Sequence, residues 1–137
     1  MKRVLNVDDI YSNRFLIDYI IKDYDCVKIQ LPNAEGISPI LNDGLNTPLL
    51  IFLDLSMPVM DGYAFLKFWR ANRHKYPFKV YIIVVSSSSY LDFKKQGYAD
   101  LVEGYVVKPV DEWIINSFMD KFLQNEDLTQ TNAPTAS

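Results

Sequence analysis

Leu49-Leu50-Ile51-Phe52-Leu53-Asp54 is a run of five apolar residues that ends in a carboxylate. An apolar run without alternation fits a strand covered on both faces, as in a parallel sheet. A buried strand seldom ends in an unpaired charge, so Asp54 needs a partner. Working outward, the same pattern occurs twice more: Val4-Leu5-Asn6-Val7 leads into Asp8-Asp9, and Tyr105-Val106-Val107 leads into Lys108-Pro109. Residues 80–85 form the most apolar strand and run into Ser86-Ser87-Ser88-Ser89, while residues 26–29 suit a short strand. Helical stretches separate them. Residues 13–23 carry Phe15, Leu16, Tyr19 and Ile20 at helical spacing. Residues 34–42, capped by Asn33, are weakened by Gly36 and Pro39. Residues 62–71 place Phe65, Phe68 and Trp69 on one face, and the polar stretch 90–96 is ended by Gly97. Residues 111–125 carry Ile115, Phe118, Met119 and Phe122.

Five strands alternating with five helices imply right-handed crossovers and a parallel sheet covered on both sides. The expected fold is α/β: a flavodoxin-like (βα)5 doubly wound parallel sheet with strand order 2-1-3-4-5. Its switch point lies between the first and third strands. In such a sheet the carboxyl ends of the strands open into one crevice, where Asp8, Asp9, Asp54 and Lys108 converge. Neighbouring carboxylates cannot all ionise cheaply without a cation between them. An oxygen-rich cluster of this kind suits Mg2+, which keeps waters or phosphate oxygens in its shell. These residues read as a phosphoryl-transfer site.

The 137 residues suffice for one domain, placed at 1–125; the Thr-, Asn- and Pro-containing stretch 126–137 is expected to be a disordered tail. The net charge of −3 with scattered basic residues gives no footprint for nucleic acid. A single cysteine, Cys26, excludes an intrachain disulfide and fits a reducing compartment. No stretch approaches the roughly 20 apolar residues of a membrane span, so a cytoplasmic protein without membrane contact is expected. Trp69 and Trp113 read as packing, His74 as a favourable charge at a basic helix end, and Lys67, Arg70, Arg73 and Lys75 as a solvated face.

The chain resembles the receiver domain of two-component response regulators over residues 2–125. The resemblance rests on Asp8-Asp9, on Asp54-Leu55-Ser56-Met57-Pro58-Val59-Met60-Asp61-Gly62, on Ser86, and on Tyr105 with Lys108-Pro109. It implies that Asp54 is the phosphoacceptor and forms an acyl phosphate. It also implies that Asp9 and Asp54 ligate Mg2+ directly, Asp8 mainly through water, and Ser56 through its backbone carbonyl. Lys108 is then the point charge opposite the metal, on a Lys-Pro bond typically cis in this family. Ser86 is the switch hydroxyl, Tyr105 the aromatic switch, and Ser56 and Ser88 occupy places that influence hydrolysis of the phosphoryl group. The implied partners are a sensor histidine kinase or a histidine phosphotransfer domain. Self-association would use the face of the fourth helix, fifth strand and fifth helix. The resemblance implies a stand-alone switch, not an enzyme beyond its own phosphorylation and dephosphorylation.

Three other readings share part of the pattern. A phosphohydrolase of the haloacid-dehalogenase type commonly has a second aspartate two positions after its nucleophile, where Ser56 stands here. A flavodoxin cradles phosphate in a hydroxyl- and glycine-rich first loop, whereas Val7-Asp8-Asp9-Ile10 repels it. A phosphorylation-independent interaction module on the same fold would not need all five site positions filled.

Overall fold

The computed structural model describes residues 1–57 and 60–130. β3 (Leu49–Asp54) lies at the centre of the sheet with all six residues buried, as its uninterrupted apolar run requires. It is flanked by β1 (Arg3–Val7) and β4 (Val80–Ser86), with β2 (Val27–Leu31) and β5 (Gly104–Val107) at the edges. All pairings are parallel, in the order 2-1-3-4-5 that the alternation of elements predicts. The register brings Val7 beside Leu53, Asp54 beside Val85 and Ser86 beside Val107. The carboxyl ends are therefore level, and Asp8, Asp54 and Lys108 emerge along one rim.

The period of two along β3 divides the core. Leu49, Ile51 and Leu53 pack toward α2 (Ile37–Leu41), α3 (Gly62–Asn72) and α4 (Tyr90–Lys95), meeting Ile37, Phe65, Trp69 and Phe93. Leu50 and Phe52 face α1 (Tyr11–Ile21) and α5 (Glu112–Leu123), meeting Ile17, Ile21, Phe118 and Phe122. Side-chain caps start α3, α4 and α5: Asp61, Ser89 and Asp111 accept from the N–H groups of Ala64, Asp92 and Trp113. Asn33 caps a single 3-10 turn that precedes the five-residue α2, which fits a segment interrupted by Gly36 and Pro39.

Three sequence expectations are corrected here. The stripe of Phe15, Leu16 and Tyr19 does not face the core: Phe15 is 52 % exposed, and the inward residues are Ile17 and Ile21. Both sets share helical spacing, and the orientation is set by the buried Asn6, which donates to the Arg14 carbonyl at 2.8 Å and turns the 14–17–21 line inward. Trp113 is 58 % exposed on the first turn of α5 and does not pack. Order also extends past residue 125. Leu128, within a 3-10 turn, is 2 % exposed and joins the α1/α5 side of the core. The rest of the expected tail, residues 131–137, lies outside the described residues.

Below the first rung of β5, Glu103 closes the β4–β5 ladder with both backbone and side chain. Its N–H donates to the Ile82 carbonyl at 2.9 Å, and its carboxylate accepts the Ile82 N–H at 2.7 Å. Burial pushes this carboxyl up from 4.5 to about 7, with the Ile82 bond and Arg73 opposing the shift. An acid whose folded pKa lies above its unfolded value contributes stability at low pH, and that contribution is lost as pH rises through the folded pKa. Stability is therefore expected to fall between about pH 5 and about pH 8. Glu103→Gln keeps the acceptor for Ile82 without the charge. It should flatten that profile and exceed the wild type by about 1–3 kcal/mol at the upper end. Urea melts at the two pH values measure this; parallel profiles would refute it.

Candidate functional site

Asp8 and Asp9 form the turn from β1 into α1. Asp8 is fully committed: its N–H donates to the Leu31 carbonyl at 3.1 Å, and Oδ1 accepts the Ile10 N–H at 2.9 Å. Its Oδ2 accepts from Lys108 Nζ at 3.0 Å. The same ammonium reaches Asp54 Oδ1 at 3.3 Å. Asp54 is only 5 % exposed. Burial pushes its carboxyl above the usual range, the Asp8 charge pushes it further, and Lys108 offsets part of the shift. For Lys108, burial disfavours the charge, but the contacts with Asp8 and Asp54 outweigh it and hold the ammonium above its ordinary pKa.

Asp8, Asp9 and Asp54 each offer an oxygen within 4.8 Å of the others. Lys108 satisfies Asp8 and Asp54, but Asp9 Oδ1 is buried with no hydrogen-bond partner among the described residues. A buried carboxylate oxygen left unsatisfied is costly. An all-oxygen set with one such atom fits a hard divalent cation. The three acidic positions singled out in the sequence thus lie together, with Lys108 against two of them.

After β3, Leu55 turns the chain, and Ser56 lies exposed two residues beyond Asp54. Pro58 and Val59, part of the quoted motif, lie outside the described residues. Where the chain returns, the Gly62 N–H donates to the Leu55 carbonyl at 3.0 Å. A Cβ at Gly62 would stand 2.5 Å from the Asp54 carbonyl oxygen and 2.9 Å from Leu55 Cα. Only glycine allows α3 to start this close to the end of β3.

Ser86 ends β4, buried, with its carbonyl accepting the Lys108 N–H at 2.8 Å. The Lys108-Pro109 bond is cis, as the resemblance implies. Ser86 Oγ accepts the Ser88 N–H at 3.1 Å, and the Ser88 carbonyl accepts from the Tyr105 hydroxyl at 2.7 Å. Tyr105 lies inward, its ring 5.1 Å from Phe93 and edge-on to Tyr90 at 5.6 Å between centroids. The Ser88 peptide therefore ties Tyr105 to Ser86. The resemblance gives Ser88 a place that influences hydrolysis; its link to Tyr105 is carried by the backbone, which residue type does not display.

Known proteins share this fold. The model of the response regulator receiver domain matches residues 4–130. A CheY-like receiver domain protein from Methanospirillum hungatei superposes with a TM-score of 0.70 at 24 % identity, covering 91 % of this chain and 98 % of that one. Chemotaxis protein CheY4 of Vibrio cholerae gives 0.68 at 25 % identity, with 91 % and 98 % covered. A structure of the Saccharomyces cerevisiae histidine phosphotransfer signaling protein Ypd1 with the receiver domain of its downstream response regulator Ssk1 gives 0.71 at 17 % identity, with 88 % and 87 % covered. The first and last of these likenesses concern the fold alone. A search of curated proteins returned no match. The solved structures agree in fold, and the sequence match spans all five strands from residue 4 to residue 130, so the chain belongs to the response regulator receiver domain family.

Proposed function

We propose that the chain is a Mg2+-dependent phosphoacceptor whose phosphorylation on Asp54 switches its contacts with other proteins. The observation that supports this most is the unsatisfied Asp9 Oδ1, grouped with Asp8 and Asp54 beside Lys108. An Asp54 carboxylate oxygen forms the new bond to phosphorus as the donor's bond to phosphorus breaks, and the donor atom keeps that electron pair. Asp9, Asp54 and the Ser56 carbonyl would hold Mg2+ directly and Asp8 through water; when bound, the ion neutralises charge on the phosphoryl oxygens. Lys108 places its ammonium on the same oxygens from the Asp54 side, and the Ser86 hydroxyl donates to them once phosphorylation draws it in. Incubation with a small acyl phosphate tests the reading. One phosphoryl group should appear by intact mass with Mg2+ and none in chelator; equal uptake in both would overturn it.

The donor is a phosphohistidine on a sensor kinase or a histidine phosphotransfer domain, and it must cover the rim where Asp54 opens. Beside that rim, the exposed rings of Tyr11, Phe15 and Tyr19 stack along α1 at 6.2 and 6.3 Å. A cleft between α1 and the loop after β5, lined by Leu16, Ile17, Pro109 and Val110, runs from α1 to Lys108. A contiguous exposed apolar patch of this kind suits a protein partner. Phe15→Asp should slow phosphotransfer from the histidine donor by about tenfold or more while leaving uptake from the small acyl phosphate unchanged. Equal loss from both donors would remove α1 from the docking surface. On the output side, α4 buries Phe93 fully and packs Tyr90 only partly, both against Tyr105. That supports the α4–β5–α5 face as the place where a target or a second copy binds. Among the described residues no helix is long and apolar enough to cross a membrane, and this role belongs to the cytoplasm.

A further inference from the structure

Arg14 takes no part in the acidic cluster, yet it is bonded at both ends of the turn that carries it. Its Nη1 donates to the Asp8 carbonyl at 2.6 Å, and its own carbonyl accepts from the buried Asn6 side chain at 2.8 Å. The guanidinium also lies over the Tyr11 ring, 5.8 Å from its centroid. Asn6 is the last but one residue of β1 and Arg14 lies in the first turns of α1, so the pair clamps the segment between them. The Asp8 carbonyl and the Asp9 N–H belong to one planar peptide unit. Holding that carbonyl fixes the plane that contains the Asp9 N and Cα, and so restricts where the Asp9 side chain can reach.

The contacts around the turn are unequal. Asp8 is held through its N–H, its carbonyl and both carboxylate oxygens. Asp9 Oδ1 has no partner among the described residues. Something other than a hydrogen bond to Oδ1 must therefore keep a carboxylate oxygen of Asp9 within 4.8 Å of oxygens on the other two carboxylates. We infer that Arg14 is a positioning residue for the cation site: through the Asp8 carbonyl it holds Asp9 ready to ligate. This inference rests on the reading of Asp8, Asp9 and Asp54 as a Mg2+ site.

The sign of the effect separates positioning from plain electrostatics. Arg14 brings a positive charge near a cation site, and on charge alone its removal should tighten Mg2+ binding. Removing a second-sphere group that orients a ligand should instead weaken binding, commonly by 10-fold or more. Mg2+ titrations followed by the backbone amide signals of Asp9 and Ile10 read this directly. Thermal melts without metal run in parallel. Arg14→Met, which keeps the aliphatic stem, should bind Mg2+ about tenfold more weakly with a metal-free Tm close to wild type. Arg14→Lys retains one donor for the single carbonyl contact and should stay within about twofold of wild type. Equal or tighter binding by Arg14→Met overturns the inference, as does equal loss in both variants. A metal-free Tm that collapses in Arg14→Met makes the residue a structural brace and overturns it too. If the wild type shows no response to Mg2+, the reading of the site falls and carries this inference down. A wild-type response that Arg14→Met reproduces sinks the inference alone.

Discussion

Asp54→Asn is expected to take up no phosphoryl group from a small acyl phosphate in the presence of Mg2+, while Lys108→Ala folds and responds only weakly. The amide of asparagine has no anionic oxygen to attack phosphorus, and no other carboxylate has the same setting. Asp8 has both oxygens committed, and Asp9 is less deeply buried at the other side of the cluster. Intact mass with and without metal measures the loss. Uptake by Asp54→Asn at the wild-type level would move the nucleophile elsewhere. The same substitution has a second expected result. Burial and the Asp8 charge disfavour the ionised form of Asp54 in the fold. At neutral pH without metal the neutral amide should therefore melt at a higher temperature than the wild type. The gain should shrink as Mg2+ is added, because the ion stabilises only the carboxylate form. A lower metal-free Tm would show that losing one partner of Lys108 outweighs relief of the buried charge.

Gly62→Ala should cost about 1–3 kcal/mol, a large effect for one methyl group. The added Cβ meets backbone on both sides, the Asp54 carbonyl oxygen at 2.5 Å and Leu55 Cα at 2.9 Å. Neither atom can yield by a side-chain rotation. Either α3 lifts away from the loop, breaking the Gly62 N–H bond to Leu55, or Asp54 is displaced. Phosphoryl uptake should therefore fall together with stability. Ala64→Gly, two residues along on the exposed side of the same helix, provides the contrast. It should cost about 1 kcal/mol from helix propensity alone and leave uptake intact. Urea melts and intact mass on the two variants decide the matter; a Gly62→Ala protein with wild-type values in both would contradict the close approach.

The strand ends were legible because burial on both faces leaves no room for an unexplained charge. The run ending at Asp54 set the centre of the sheet, and Asp8, Asp9 and Lys108 followed at the ends of β1 and β5. α1 was harder. It has more large apolar residues than one face can bury, so periodicity alone could not choose between the Phe15–Tyr19 line and the Ile17–Ile21 line. The choice is made by a polar contact, Asn6 to the Arg14 carbonyl, which no hydrophobic pattern encodes. Glu103 and the backbone link through Ser88 were not legible for a related reason. One closes a ladder with its side chain, the other links Tyr105 to Ser86 with its peptide, and both depend on neighbours distant in sequence. Leu128 looked like part of a polar tail because a single apolar residue has no periodicity to reveal it.

The two layers of the core have a consequence for timing. α1 with its ring stripe packs on one side of the sheet, while α4, Phe93 and Tyr105 pack on the other. A donor seated on α1 and a target seated on α4 would therefore touch helices on opposite faces of the sheet, with α5 the one element bordering both surfaces. On this arrangement loading and output need not take turns. A receiver already holding its target can be recharged in place, or discharged back to the histidine, without first letting go. If donor and target bind as proposed, signal duration would follow loss of the acyl phosphate, by hydrolysis or by return to histidine, with no release of the target required.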